Sequence, residues 1–245
     1  QATTTNIRSL TALFAALMLY ASARAHATGR ASTLVLFAAA FGLGIGHHIS
    51  LVFIGIALGA YVLVVVWQSD RPGIRRAALG AAIALVMTQL VWLYLPIRDA
   101  AGARFAPGNL TTPEGLLSHI FARGFAGDML AFAAPALLAD RLALLPTLLT
   151  FQFSAPMLIL MAIAAAALIW QRPALGIVWL TAWAMHLFIT LTYRAPQTVE
   201  YAMPCWVILC VVLGAGLGSI AARQAHGGRW RLWRILPLAS SEALL

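Results

Sequence analysis

Residues 49–67 read ISLVFIGIALGAYVLVVVW, nineteen residues without a charge. As a helix rising 1.5 Å per residue the stretch would be about 29 Å long. That is close to the roughly 30 Å hydrocarbon thickness of a bilayer. Lipid offers no hydrogen-bond partner to an open strand edge, so such a segment must be helical. The pattern recurs along the chain. Apolar stretches fall at about 9–23, 31–46, 49–67, 75–95, 150–170, 174–192 and 202–222. The expected fold is therefore an all-α polytopic transmembrane bundle of about seven spans. Residues 1–222 would form a single transmembrane domain, and 223–245 a basic cytoplasmic tail.

Composition agrees. Of 245 residues, 62% are hydrophobic and 9% charged, against about 45–50% and about 25% in ordinary soluble domains. This excludes a wet-surfaced globular enzyme, a disordered chain and a disulfide-stapled secreted module. The formal charge is +9. The arginines lie between apolar runs, where positive charge sets membrane topology, so nucleic acid is not an expected partner. Cys205 and Cys210, five positions apart on one helix, are separated by about 7.5 Å of rise and about 140° of rotation, too far for an unstrained bridge.

The arginines orient the bundle. With the first residue outside, the inner connectors and tail hold Arg24, Arg30, Arg71, Arg75, Arg76, Arg172, Arg223, Arg229, Arg231 and Arg234. The outer side holds Arg8, Arg98, Arg104, Arg123, Arg141 and Arg194. The bias favours an N-terminus outside and a C-terminus in the cytoplasm. The alternating Arg229–Arg234 segment suits an anionic inner leaflet.

The connector 96–149 carries helix signals. Thr111 and Glu114 have capping-box spacing, with Pro113 in the first turn. Leu116, Leu117, Ile120 and Phe121 follow at helical spacing. This predicts an amphipathic helix on the membrane face, with a second such segment over 128–147. Gly42-x-Gly44-x-Gly46 and Gly214-x-Gly216-x-Gly218 lie inside apolar spans and follow no strand. They are read as close-packing positions, not phosphate loops.

Polar groups near span ends are the candidate functional residues, because charge and imidazole are costly in lipid. Adjacent His47 and His48 point about 100° apart on a helix. That geometry suits hydrogen bonding to a phosphate or sugar, or to neighbouring helix ends, and no third metal ligand sits at useful spacing. In Trp92–Asp99, the aromatics Trp92 and Tyr94 mark the interface and Pro96 is expected to stop the helix, projecting Arg98 for phosphate binding or for pairing with Asp99. In Tyr193–Pro204, Glu200 is a candidate base or a partner that ties Arg194 across the loop. His186, alone inside a span, reads as bonded to a neighbouring helix.

Several of these segments, taken in order, resemble a family. They are Gly42–His48, Tyr94–Arg98, the Thr111–His119 helix start, Glu200-Tyr201 with Pro204, and the Gly214–Gly218 run. Their order and spacing are similar to a large bacterial membrane family once filed as a domain of unknown function. Its animal relatives are protein O-mannosyltransferases of the GT-C class. The resemblance covers nearly all of residues 1–222. At the start, Asn6 and Arg8 stand where that family has an acid and a tyrosine.

The resemblance implies a GT-C-type fold that uses a polyprenyl-phosphate-linked sugar at the extracytoplasmic face, with a protein or glycan as acceptor. His47, His48 and Arg98 would contact the lipid phosphate or the sugar, Glu200 and Tyr201 would border the acceptor side, and Tyr94 and Arg194 would complete the substrate-binding set. No resident cofactor is implied, and no metal ligands are assigned. The family's catalytic acid would lie upstream of Gln1, leaving this stretch inactive by itself. A transporter would show inverted repeats and mid-membrane charges, neither of which is evident. A non-catalytic membrane subunit is the other reading.

Overall fold

The structure is a computed structural model, which describes residues 7–103, 109–121, 123–194 and 198–225. The expected tail beyond Ala225, the stretch holding Arg104 and the Gln1–Asn6 start lie outside these residues. The chain is an all-α polytopic membrane bundle, with no strand among the described residues.

Four helices come first: α1 (Ile7–Thr28), α2 (Ser32–His47), α3 (Val52–Ser69) and α4 (Arg71–Gln89). A 3₁₀ turn over Leu90–Leu93 leads into α5 (Tyr94–Ala100). The long connector then holds α6 (Pro113–Ile120), α7 (Pro135–Ala143) and α8 (Leu145–Gln152). The second half is α9 (Ala155–Gln171), α10 (Pro173–Thr192), the short α11 (Thr198–Tyr201) and α12 (Met203–Ala225). Successive long helices reverse direction, so their connections gather at two ends. One is rich in arginine and centres on Asp70. The other holds the α2–α3 joint at His48.

Among the described residues, five helical stretches are long and apolar enough to cross a bilayer, and six if the bent α7/α8–α9 pair counts as one. That is fewer than the seven expected. The second expected span, α2, is apolar but only 16 residues long. The span expected at 150–170 is broken: helix direction changes by 107° between α8 and α9. The cause is local. Pro156 cannot continue a helix arriving from α8, so Phe153 and Ser154 take extended backbone and α9 restarts with proline in its first turn.

Pro96 does the opposite of what was expected. It lies in the first turn of α5, where no N–H donor is needed, and Arg71–Ala100 continues as one 30-residue apolar stretch. The α6 cap is displaced by one residue. Thr112, not Thr111, caps the helix, its Oγ1 accepting from Gly115 N at 3.1 Å. Glu114 is therefore not at the box position, though it still sits in the first turn.

Helices in lipid gain little from apolar burial against one another, so close approach and internal hydrogen bonds carry the packing. The glycine run of α2 shows this position by position. A Cβ at Gly42 would strike Thr88 of α4, one at Gly44 would press on Phe14 of α1 and on Leu51, and one at Gly46 would strike Val91. In α12 only Gly216 plays that role, lying against the Ala164 backbone of α9, while Gly214 and Gly218 face open space. In the core, the buried Trp179 indole donates to Ser22 Oγ at 2.9 Å, joining α10 to α1. Such a bond inside a bundle is worth about 0.6–2 kcal/mol. At the arginine-rich end Asp70 caps α4 through Gly73 N (3.1 Å) and accepts from Ala31 N (3.1 Å), fixing the starts of α4 and α2 together. Cys205 is buried, Cys210 is exposed, and both thiols are free.

Candidate functional site

The polar groups at the His48 end are held there by specific contacts. The Gly44–Leu51 region turns sharply. His48 leaves the helix in extended conformation, and its Nδ1 accepts from Ser50 N (3.3 Å) and lies 2.7 Å from Ser50 Oγ. Nδ1 is thus the acceptor and Nε2 carries the proton. The adjacent His47 ring packs on Phe14 of α1, centroids 6.0 Å apart. The two imidazoles therefore diverge, as their spacing predicts.

Helix α5 is brought to the same end by a relay of hydrogen bonds. Trp92 Nε1 donates to Gln89 Oε1 (2.8 Å), and Gln89 Nε2 donates to Gly42 O (3.1 Å). With Gly46 lying against Val91, the Leu90–Leu93 turn is pinned to the last turn of α2. Tyr94 and Arg98 follow within two helical turns and both are exposed, Tyr94 by 61%. Arg98 does not pair with Asp99. The Asp99 carboxylate instead accepts from Thr111 N (3.1 Å), tying α5 to the start of α6. Among the described residues the Arg98 guanidinium has no ion-pair partner.

The α10–α12 connector completes the rim. Tyr201 packs edge-on against His48 (centroids 5.9 Å) and against Tyr193 (5.2 Å). Its carbonyl accepts from His186 Nε2 at 3.1 Å and from Thr190 Oγ1 at 3.4 Å. His186 is 1% exposed, and the Ser50 backbone lies against the same ring without reaching hydrogen-bond geometry at Nδ1. The lone histidine of the sixth expected span thus does bond a neighbouring segment. It bonds α10 to α11 and lies beside the Ser50 backbone of the α2–α3 joint.

Arg194 takes Asp128 as its partner, 66 positions away. Nε and Nη2 both reach Oδ1, at 2.7 and 2.6 Å, and Arg194 N bonds Asp128 O at 2.9 Å. The tie expected between Arg194 and Glu200 is replaced by one that fastens the 123–134 segment to the end of α10. Glu200 is half-buried in α11. The structure therefore brings His47, His48, Tyr94, Arg98, Arg194, Glu200 and Tyr201 to one end of the bundle. Among them, the rings of His48 and Tyr201 meet, and Tyr201 also meets Tyr193.

Arg141 is a site residue that the sequence pattern did not single out. Its Nε donates to Leu191 O (3.0 Å), its Nη2 donates to Thr198 Oγ1 (3.0 Å), and the guanidinium lies 4.6 Å from the Phe132 ring centroid. It thus satisfies a carbonyl at the C-terminal end of α10, where a cation is favoured, and holds the first residue of α11. Its partners lie 50 and 57 positions away, so no local spacing could have revealed them.

No three His, Cys, Asp or Glu side chains among the described residues are grouped to hold a metal. Compared with protein-family models, with curated proteins and with solved structures, the chain finds no match in any of the three.

Proposed function

We propose that this chain is part of a GT-C-type membrane glycosyltransferase and that its His48 end receives a polyprenyl-phosphate-linked sugar at the extracytoplasmic face, with the arginine-rich end in the cytoplasm. One observation carries the reading. The Trp92–Gln89–Gly42 relay holds the exposed Arg98 helix beside the turn that presents His47 and His48. A phosphate anchored in lipid meets there a guanidinium suited to bidentate binding, and imidazoles that donate to phosphate or sugar oxygens. Charged hydrogen bonds of this kind gain strength away from bulk water. Tyr94, exposed one turn before Arg98, supplies an interfacial surface for the sugar or prenyl chain. Tyr193, Glu200 and Tyr201 border the acceptor side. Arg194, held by Asp128, closes that side and does not reach for the donor.

A non-catalytic membrane subunit is the second reading. It is favoured by the many rim groups, His48, Arg141, His186 and Arg194, that bond within the chain. Donor binding separates the two. The solubilised protein is titrated with a polyprenyl-phosphate hexose, and Kd is measured for wild type, Arg98→Ala and His47→Ala. Loss of one charge-assisted bond, about 1.5–3 kcal/mol, predicts roughly tenfold weaker binding or more for Arg98→Ala. The non-phosphorylated polyprenol should bind wild type and variants alike. Unchanged donor affinity in both variants would remove the proposed site.

A further inference from the structure

We propose that the groove between the last turns of α9 and α12, at the arginine-rich end and remote from the His48 rim, binds an anionic phospholipid through its headgroup. The two helices approach closely where Gly216 lies on the Ala164 backbone. One turn and more beyond that crossing, a cavity of ≈ 520 Å³ opens between them. Its inner wall is apolar and built from small or branched side chains, Ala167 and Ile220 among them. Its polar lining comes from Gln171, Arg223 and Gln224, with Trp170, 72% exposed, alongside.

That gradient is the profile of a lipid's own upper half. The alanines and Ile220 match the first methylenes, and an interfacial indole suits the glycerol level. A guanidinium with two amides can donate to phosphate oxygens. The charge of the surroundings selects the sign of the headgroup. Arg24, Arg30, Arg71, Arg75, Arg76, Arg172 and Arg223 all belong to this end. Among the described residues its one acid is Asp70, whose carboxylate already accepts from Gly73 N and Ala31 N. The carbonyl ends of α9 and α12 would by themselves favour a nearby arginine. They do not account for a concave, mostly apolar surface beneath it. Basic pockets between transmembrane helices are sites of this kind.

The test is native mass spectrometry of the full chain, released from detergent in the presence of equal amounts of phosphatidylglycerol and phosphatidylcholine. Wild type should retain phosphatidylglycerol preferentially. Arg223→Gln, at a half-buried surface position, should lower its retention about fivefold, the effect of one basic residue at a membrane surface, and leave phosphatidylcholine unchanged. Ala167→Trp, which fills the groove, should lower retention of both lipids. A chain ending at Ala225 should keep the preference, which separates the groove from the basic tail. The inference is overturned if Arg223→Gln and Ala167→Trp both retain phosphatidylglycerol at the wild-type level. It is equally overturned if the preference disappears only when the tail is removed.

Discussion

Replacing Arg141 with Met should loosen the rim at a distance from the replaced side chain. The substitution keeps much of the apolar stem and removes two donors, those to Leu191 O and Thr198 Oγ1 at 3.0 Å each. Hydrogen bonds from a charged group contribute about 1.5–3 kcal/mol apiece, and two from one half-exposed guanidinium do not add fully, so a combined loss of about 2–3 kcal/mol is expected. At about 1.4 kcal/mol per factor of ten, the open form of the 193–203 connector becomes about 30- to 150-fold more populated. Cys205 reports that opening. It is fully buried, its Sγ lies 3.8 Å from Trp183 O, and it follows Tyr201 by four positions. In a Cys210→Ser background it is the sole thiol, and its rate of labelling by a membrane-permeant maleimide tracks the open population. Arg141→Met should raise that rate by the stated factor. Arg141→Lys keeps the charge but not the fork, and should fall between. Labelling of Arg141→Met at the wild-type rate would refute the assignment of Arg141 as the group that holds the connector.

Three further outcomes follow from the geometry. Asp128→Asn removes an ion pair whose arginine is 64% exposed, so it should cost less than about 1 kcal/mol, and the difference should vanish in high salt. Thermal unfolding in detergent at two ionic strengths checks this. Gly42→Val should drive a side chain into Thr88 and cost about 1–3 kcal/mol, whereas Gly214→Ala, facing open space, should be neutral or gain up to about 1 kcal/mol. A scan in which Gly214→Ala is the more damaging of the two would contradict the packing described. Asp70→Ala removes the α4 cap and the bond to Ala31 N, and should lower stability by about 1–2 kcal/mol in the same unfolding assay.

The bundle was legible wherever one local rule acted alone. The uncharged run at 49–67 and the apolar stretch at 174–192 became α3 and α10 within a few residues, because hydrocarbon leaves an apolar run of that length only the helix. The glycines of α2 were legible as packing positions for the same reason. Proline was less legible, because its effect depends on where the helix begins. Pro96 sits in a first turn and is tolerated, while Pro156 sits where a helix arriving from α8 would have to continue and bends the chain by 107°. The α6 cap illustrates a near tie. Thr111 and Thr112 are adjacent, and the bond from Gly115 N decides for the second.

The rim was legible as a list of residues but not as a set of partners. His48, Tyr201 and Arg98 could be nominated from their places at span ends. Which groups they meet depends on contacts across the fold. Asp128 in place of Glu200 as partner of Arg194, and Arg141 on Leu191 and Thr198, involve separations of 50 to 66 positions. No periodicity carries that information.

The shared rim itself is open to a direct measurement. In a protein lacking both native cysteines, His48→Cys, Arg98→Cys and Arg75→Cys are made singly and exposed, in sealed vesicles of known orientation, to an impermeant maleimide. The first two should label from the same compartment and be protected by a polyprenyl-phosphate hexose, while Arg75→Cys labels only from the other. Labelling of the His48 and Arg98 positions from opposite sides would leave no common surface for the donor and contradict the site.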